Sequence, residues 1–392
     1  MRPLALTAAL PLVLALAACN AEGGSGGAAA GGNATAATAP STDGKPFTVT
    51  PVAQFAEPWA MTFLPDGRML VTEKAGKLKL VSADGKAAID VSGVPAVAYA
   101  GQGGLGDVVI HPDFAGTGYV YLSYAEKGEG GQGAAVARAK LVEADGGARL
   151  DGLQVIWRQE PKVDGDGHYG HRLAFSPDGF LFISSGERQK FTPAQDMDQN
   201  LGKIIRLTDT GGIPSENPFY DQGRIKAQIW SYGHRNPLGL AFAADGTLWE
   251  HEMGPEGGDE FNRIEKGSNY GYPLVSNGDH YDGKPIPDHD TRPELNAPEV
   301  SWTPVISPAG LVIYSGDSFP AWKGSALIGG LSSKALVRVA IDGTTAREAE
   351  RFDMGERIRE VEQGPDGAVW LIEDQDGAGK SGGRLLKLTP AG

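Results

Sequence analysis

This 392-residue sequence predicts an all-β fold, a six-bladed β-propeller. Three observations carry the prediction. Its 57 glycines are about double the ordinary ~7% share, and 26 prolines accompany them, so turns are many. No stretch of about 12 or more residues keeps a helical period. A tight turn of the Pro-Asp-Gly kind, followed by a short apolar strand, recurs six times.

At the N-terminus, MRPLALTAALPLVLALAACN is one Arg and then an apolar run of signal-peptide length, too short to span a membrane comfortably. It ends in Leu16-Ala17-Ala18-Cys19, which resembles the bacterial lipobox, whose Cys becomes a lipidated mature N-terminus. The expectation is a signal peptide over 1–18, a lipid anchor at Cys19 and a Gly/Ala-rich tether over 19–45. An ordinary signal peptide with an incidental Cys is the alternative. Asn20 after the Cys favours the outer membrane, on its periplasmic side. Cys19 is the only Cys, so the folded region, 46–392, has no thiol for disulfides, metal ligation or nucleophilic catalysis. With 35 basic and 49 acidic residues, net charge -14 and no basic stripe, nucleic acid is set aside as a partner. A site for an anion must therefore gather its cations locally.

The recurring units are LPDGRMLVTEKAGKLKLV (64–81), HPDFAGTGYVYLSYAE (111–126), SPDGFLFISSGE (176–187), AADGTLWEHEM (243–253) and GPDGAVWLIED (364–374), with a looser copy over 315–342. Pro fixes the first corner of such a turn, and Asp and Gly tolerate the remaining corners. One small sheet cannot bury both faces, so repeats of this kind stack on one another as blades. A pair of β-sandwiches is the alternative, and it wants less regular recurrence.

The third unit carries the chemistry. In DGHYGHRLAFSPDG (166–179) a hairpin about Pro177-Asp178 places His168 as far before the turn as Glu187 lies after it. Antiparallel pairing then sets the two opposite each other within about one register step. A His facing a carboxylate is an oriented general base, its tautomer fixed and its charged form stabilised. A surface His-Glu pair without chemistry is the other reading. A metal on His168 and His171 is weaker still, because no third His or Cys stands near.

Six motifs in order then resemble one family, the soluble PQQ-dependent aldose sugar dehydrogenases related to soluble quinoprotein glucose dehydrogenase. They are GQGGLGDVVIHPDF (101–114), HYGHRLAFSPDG (168–179), SYGHRNPLGLAF (231–242), GPEGGDEFNRIEKGSNYGYP (254–273), SPAGLVIYSGDSFP (307–320) and RIREVEQGPDG (357–367). The resemblance implies a six-bladed propeller. It implies His168 as the base that takes the C1 hydroxyl proton while hydride passes to the quinone, and Glu187 as its acidic partner. Arg235, beside the quinone carbonyl, is implied as a catalytic and cofactor contact. Asn236 and Gln102 match further cofactor contacts. Lys334, Arg357 and Arg359 match the cations that hold the carboxylates of PQQ, a planar tricarboxylate. The carbonyls of Gly254 and Pro255 match a Ca²⁺ site at the cofactor. Glu260, the Tyr270 carbonyl and Asp259 match a second, structural Ca²⁺ site.

One departure stands out. His171 occupies a position where the family usually has Gly, which bears on substrate preference more than on the reaction. The loop NGDHYDGKPIPDHDTRPE (277–294), with two of the seven histidines, is expected to be a solvated rim rather than a metal site. The function implied is oxidation of an aldose sugar at C1 to an aldonolactone, with electrons passed to an external acceptor. No nucleotide fingerprint offers another redox cofactor. A calcium-dependent lactonase-type propeller, or a sugar- or partner-binding propeller without catalysis, are the alternatives. No subunit interface is legible in the chain.

Overall fold

The computed structural model describes residues 44–374 and 382–392; the expected signal peptide, Cys19 and the tether up to Asp43 lie outside them. Among the described residues the only α-helical element is a four-residue turn, Phe114–Thr117. The fold is all-β. Its strands form four antiparallel sheets of four and one of eight, beside a two-stranded ribbon. The eight-stranded sheet is two four-stranded meanders joined edge to edge by short parallel pairing of Val91 with Ala148 and Ser92 with Arg149. That makes six four-stranded meanders, four alone and two joined.

The six recurring turns each join the first strand of a meander to its second. In four of them, Leu64–Arg68, Ser176–Phe180, Ala243–Thr247 and Gly364–Ala368, the same two backbone hydrogen bonds close the turn. Gly67, Gly179, Gly246 and Gly367 each sit there at φ between 76° and 87°, where any Cβ is strained.

The first strands are Pro58–Phe63, Leu105–Ile110, Gly170–Phe175, Pro237–Phe242, Pro308–Ile313 and Ile358–Gln363. Each contacts the next in chain order, and the last contacts the first, closing a ring. The last meander is completed from both ends of the folded region. Phe47–Gln54 pairs with Arg384–Pro390, running from Phe47 opposite Pro390 to Gln54 opposite Arg384. The core follows this ring, as six apolar clusters that each lie between neighbouring meanders. Phe261 of the fourth meander packs with Ile328 and Val337 of the fifth, for example. Each such side chain contributes about 1.5–3 kcal/mol by leaving water.

Every first strand opens with a register shift against its second strand, as between Gly170 and Leu173 or Pro237 and Gly239. All six bulges fall at the same end of the strand. Bulges bend a strand and re-aim its side chains, so this end of the ring is where a site can be built.

Candidate active site

Two cavities open at the bulged end, one of about 430 Å³ and one of about 340 Å³. Residues adjacent or nearly adjacent in sequence divide between them. His168, Arg235 and Pro255 line the larger; Tyr169, Asn236 and Met253 line the smaller.

The larger cavity holds the expected dyad. Gly170 pairs with Ser185, and that register carried two residues further sets His168 opposite Glu187. His168 Nδ1 lies 2.5 Å from Glu187 Oε1. The other carboxylate oxygen accepts from the backbone N–H groups of Lys190 and Phe191, the latter at 2.6 Å. The His168 backbone N–H donates to Gln102 Oε1 at 2.7 Å, which holds a residue at φ 49°. Burial pushes the His168 pKa below its usual value, against the hydrogen bond to Glu187, which raises it. Burial raises the Glu187 pKa, but the hydrogen bond and charge of His168, the Phe191 N–H and the Arg235 charge together outweigh it and the net shift is downward. The pair is thus a neutral imidazole and a carboxylate. With Nδ1–H given to Glu187, Nε2 is left as a proton acceptor.

The smaller cavity gathers cations. Arg357, Arg359 and Lys74 all line it. The two arginine Nε groups share one carboxylate, Asp374, at 2.8 and 3.0 Å. Burial first opposes ionisation of Asp374, but the two arginines pull its pKa down to about 2. Three cations against two carboxylates, Asp374 and Glu57, leave the wall with one positive charge in excess. Tyr169, His171 and Asn236 also line this cavity, and Tyr169 Oη, His171 Nδ1 and Asn236 Nδ2 are buried polar atoms without a protein partner. Arg235 Nε beside them is another. Such groups are rare in native interiors, and four together suit a polar ligand.

Arg235 and Asn236 are fixed by the end of the neighbouring strand. Glu252 accepts from both backbone N–H groups, that of Asn236 at 3.0 Å. Arg235 Nη1 donates to the carbonyls of Met253 at 2.8 Å and Gly254 at 2.7 Å.

The remaining expected residues are placed differently. Lys334 stands apart from the other cations, half exposed, with Nζ on the Gly355 carbonyl at 3.3 Å. His171 does not share the cavity of His168. It packs beside Trp59, ring centroids 5.0 Å apart, in the cavity of the arginines, and burial drives its pKa down to about 3. Asp259 spends its carboxylate on backbone N–H groups, Gly254 at 2.9 Å, Ile306 at 2.8 Å and Ser307 at 2.7 Å, and so braces the Gly254-Pro255 turn. Tyr270 gives its carbonyl to His289 Nε2 at 3.2 Å and stacks its ring on His234. Glu260 belongs to a larger buried group. It shares the Asn262 amide with Glu250, and donor atoms of His234, Glu250 and Glu252 lie within 4.8 Å of one another. Burial, then the charge of Glu252, pushes Glu250 and Glu260 well above the carboxylate range. The loop 277–294 is a rim as expected, but not wholly solvated: His289 is buried, and His280, Tyr281, Asp282 and Lys284 wall the larger cavity.

Sequence reasoning missed Lys74, Asp374 and Glu252. A signal for them was present. In MLVTEK, WEHE and VWLIED the second strand ends in an acidic residue six residues past the turn glycine, Glu73, Glu252 or Glu373, and Lys74 and Asp374 directly follow two of these. A hairpin of fixed length returns that residue to the bulged end.

Comparison with known proteins agrees with this geometry. The glucose/sorbosone dehydrogenase family profile matches residues 55–387, and the chain belongs to that family of dehydrogenases. Among its relatives, aldose sugar dehydrogenase YliI of Escherichia coli (strain K12) is 41% identical over 342 residues, covering 85% of this chain and 90% of the relative. The solved apo-form of the soluble aldose sugar dehydrogenase from Escherichia coli superposes with a TM-score of 0.81 at 39% identity, over 88% of this chain and 100% of the other. The PQQ-bound form of aldose sugar dehydrogenase from Streptomyces coelicolor gives 0.72 at 28% identity, over 90% and 99%. The fold is accordingly a β-propeller of the sugar dehydrogenase type.

Proposed function

We propose that this protein is a six-bladed propeller that oxidises aldose sugars at C1 to aldonolactones with PQQ as cofactor and His168 as general base. The observation that carries this is the pairing of two cavities, one holding an oriented neutral base, the other walled by cations and unpartnered polar atoms. The ring of six first strands supports the blade count. PQQ, when bound, supplies the acceptor for the C1 hydrogen and its electron pair. The chain supplies the rest. Arg357, Arg359 and Lys74 would hold a tricarboxylate, with Asn236 Nδ2 and Arg235 Nε offering donors at its edge. His168 Nε2 takes the proton of the C1 hydroxyl, and Glu187 stabilises the imidazolium that results. An external acceptor then removes the two electrons.

Ca²⁺ is part of the proposal at two places. At the cofactor it would bind the Gly254 and Pro255 carbonyls, and the Arg235 guanidinium must turn off Gly254 to admit it. At the structural site, Glu260 with Glu250 and Glu252 offers the hard oxygens calcium prefers, and Glu250 Oε1 and Asn262 Oδ1 are buried there without partners. We further propose a lipid anchor at Cys19, facing the periplasm at the outer membrane. Its test is labelled-palmitate incorporation that a Cys19→Ser variant loses.

The deciding experiment adds PQQ and Ca²⁺ to cofactor-free protein and follows glucose-dependent dye reduction. Turnover that requires PQQ is expected. Absence of PQQ binding, read from its absorbance, sinks the reading and returns the chain to a lactonase-type or binding propeller.

A further inference from the structure

A sugar ring shows two chemistries, hydroxyls around its edge and C–H groups across its faces. The larger cavity is built the same way. His168, Glu187 and Arg235 make a polar floor, and Phe191, Tyr272 and Tyr281 stand around it. Among the described residues only six large hydrophobic side chains are exposed, and two of them, Phe191 at 45% and Tyr281 at 73%, line this one cavity.

Both are held in place, Phe191 at a conformational cost. Phe191 sits at φ 63°, with Arg188 and Gln189 also positive at 62° and 59°. That conformation is disfavoured for bulky residues and persists where surrounding bonds impose it. The bond here is the Phe191 N–H to Glu187 Oε2 at 2.6 Å, so the carboxylate that orients the base also fixes the aromatic. The Phe191 ring stacks near Tyr272 at 6.4 Å and meets His280 edge-on at 5.5 Å. Tyr281 Oη accepts from Arg235 Nη2 at 3.2 Å. Its loop is tied down at the base, where Glu256 and Gly257 pair with Asp279 and Gly278. At the tip, the His280 N–H donates to the Lys284 carbonyl at 2.9 Å.

We infer that Phe191 and Tyr281 are specificity-determining residues that grip the C–H faces of a pyranose ring and present its C1 hydroxyl to His168. The inference rests on the aldose dehydrogenase reading of the same site. Two rings on opposite anchors, one on the dyad's own carboxylate and one on Arg235, hold the sugar only when the floor is assembled. Aromatic faces and ring edges of this kind are how apolar sugar surface is recognised without charge.

The test uses 1,5-anhydroglucitol, which keeps the ring but has no C1 hydroxyl to oxidise. Its binding to cofactor-free protein is measured by calorimetry, and glucose KM and kcat are measured on the PQQ-loaded enzyme. Phe191→Ala and Tyr281→Ala should each weaken analogue binding and raise KM by about fivefold to tenfold, with a smaller change in kcat. Tyr281→Phe, which keeps the ring, should restore most of the affinity. PQQ titration of each variant shows that the fold and the cofactor cavity survive. Unchanged analogue affinity and unchanged KM in both Ala variants overturn the inference. Analogue binding that the Ala variants lose, in a wild-type protein that turns over no sugar, leaves the grip standing and fails the dehydrogenase reading alone.

Discussion

His168 acts through what its neighbours do to it. Burial keeps its imidazole neutral, Glu187 fixes which nitrogen carries the proton, and Gln102 holds its backbone. In the proposed mechanism the neutral form is the base, so kcat/KM should rise with pH through a limb below the ordinary 6.5 and be level at neutrality. Glu187→Gln removes the carboxylate charge that helps raise this pKa, so the limb should move to lower pH while kcat falls by about 10²–10⁴. A limb that moves upward, in a pH–rate profile of that variant, contradicts the dyad. His168→Ala should abolish turnover and leave PQQ binding within about twofold by absorbance titration. Near-normal turnover removes the base assignment. At this scale much was legible: the symmetry of a short hairpin is enough to put His168 and Glu187 together. The side of the ring taken by His171 was not. Its imidazole lies over Gly106, whose absent Cβ would meet it at 2.2 Å, and that contact joins residues far apart in the sequence.

At the level of the strand pair, the bulge is the working part. Gly170 sits at φ 65° where a Cβ would stand 2.7 Å from the Gly186 backbone nitrogen. Gly170→Ala should therefore cost about 1–3 kcal/mol in urea unfolding and cut activity more than stability, because the dyad lies two residues beyond it. Stability within error of the wild type contradicts the strained bulge. The turns were legible, since Pro-Asp-Gly dictates its own geometry. The hairpin expected about Pro177-Asp178 is there, with strands Gly170–Phe175 and Leu181–Ser185. The bulges were not legible, because a one-residue register shift leaves no mark in residue types.

Closure of the ring decides the behaviour of the whole molecule. Phe47–Gln54 supplies the last strand of the last meander and buries Phe47 completely. A chain beginning at Phe55 leaves Arg384–Pro390 with an open edge, and its melting temperature should fall by on the order of 10 °C with aggregation by light scattering. An unchanged melting temperature removes the closure role. The buried acids Glu250, Glu252 and Glu260 bear on the same scale. If they hold a cation, chelation should lower the melting temperature, calcium should restore it, and Glu260→Gln should abolish the response. No effect of calcium in calorimetry leaves that cluster without a metal.

By itself the sequence determined the repeat, the turn chemistry and the dyad, because each depends on residues within one hairpin. The order of its motifs also identified the family. Only the tertiary structure decided which cations share a wall, bringing in Lys74 and leaving Lys334 outside. It alone set the Asp259 carboxylate against the backbone N–H groups of Ile306 and Ser307 and turned the 277–294 loop into a wall of the cavity that holds His168. The physical reason is common to all of these. They are contacts between different meanders, set by how the bulged strand ends converge around the ring, and residue spacing along one chain does not encode convergence.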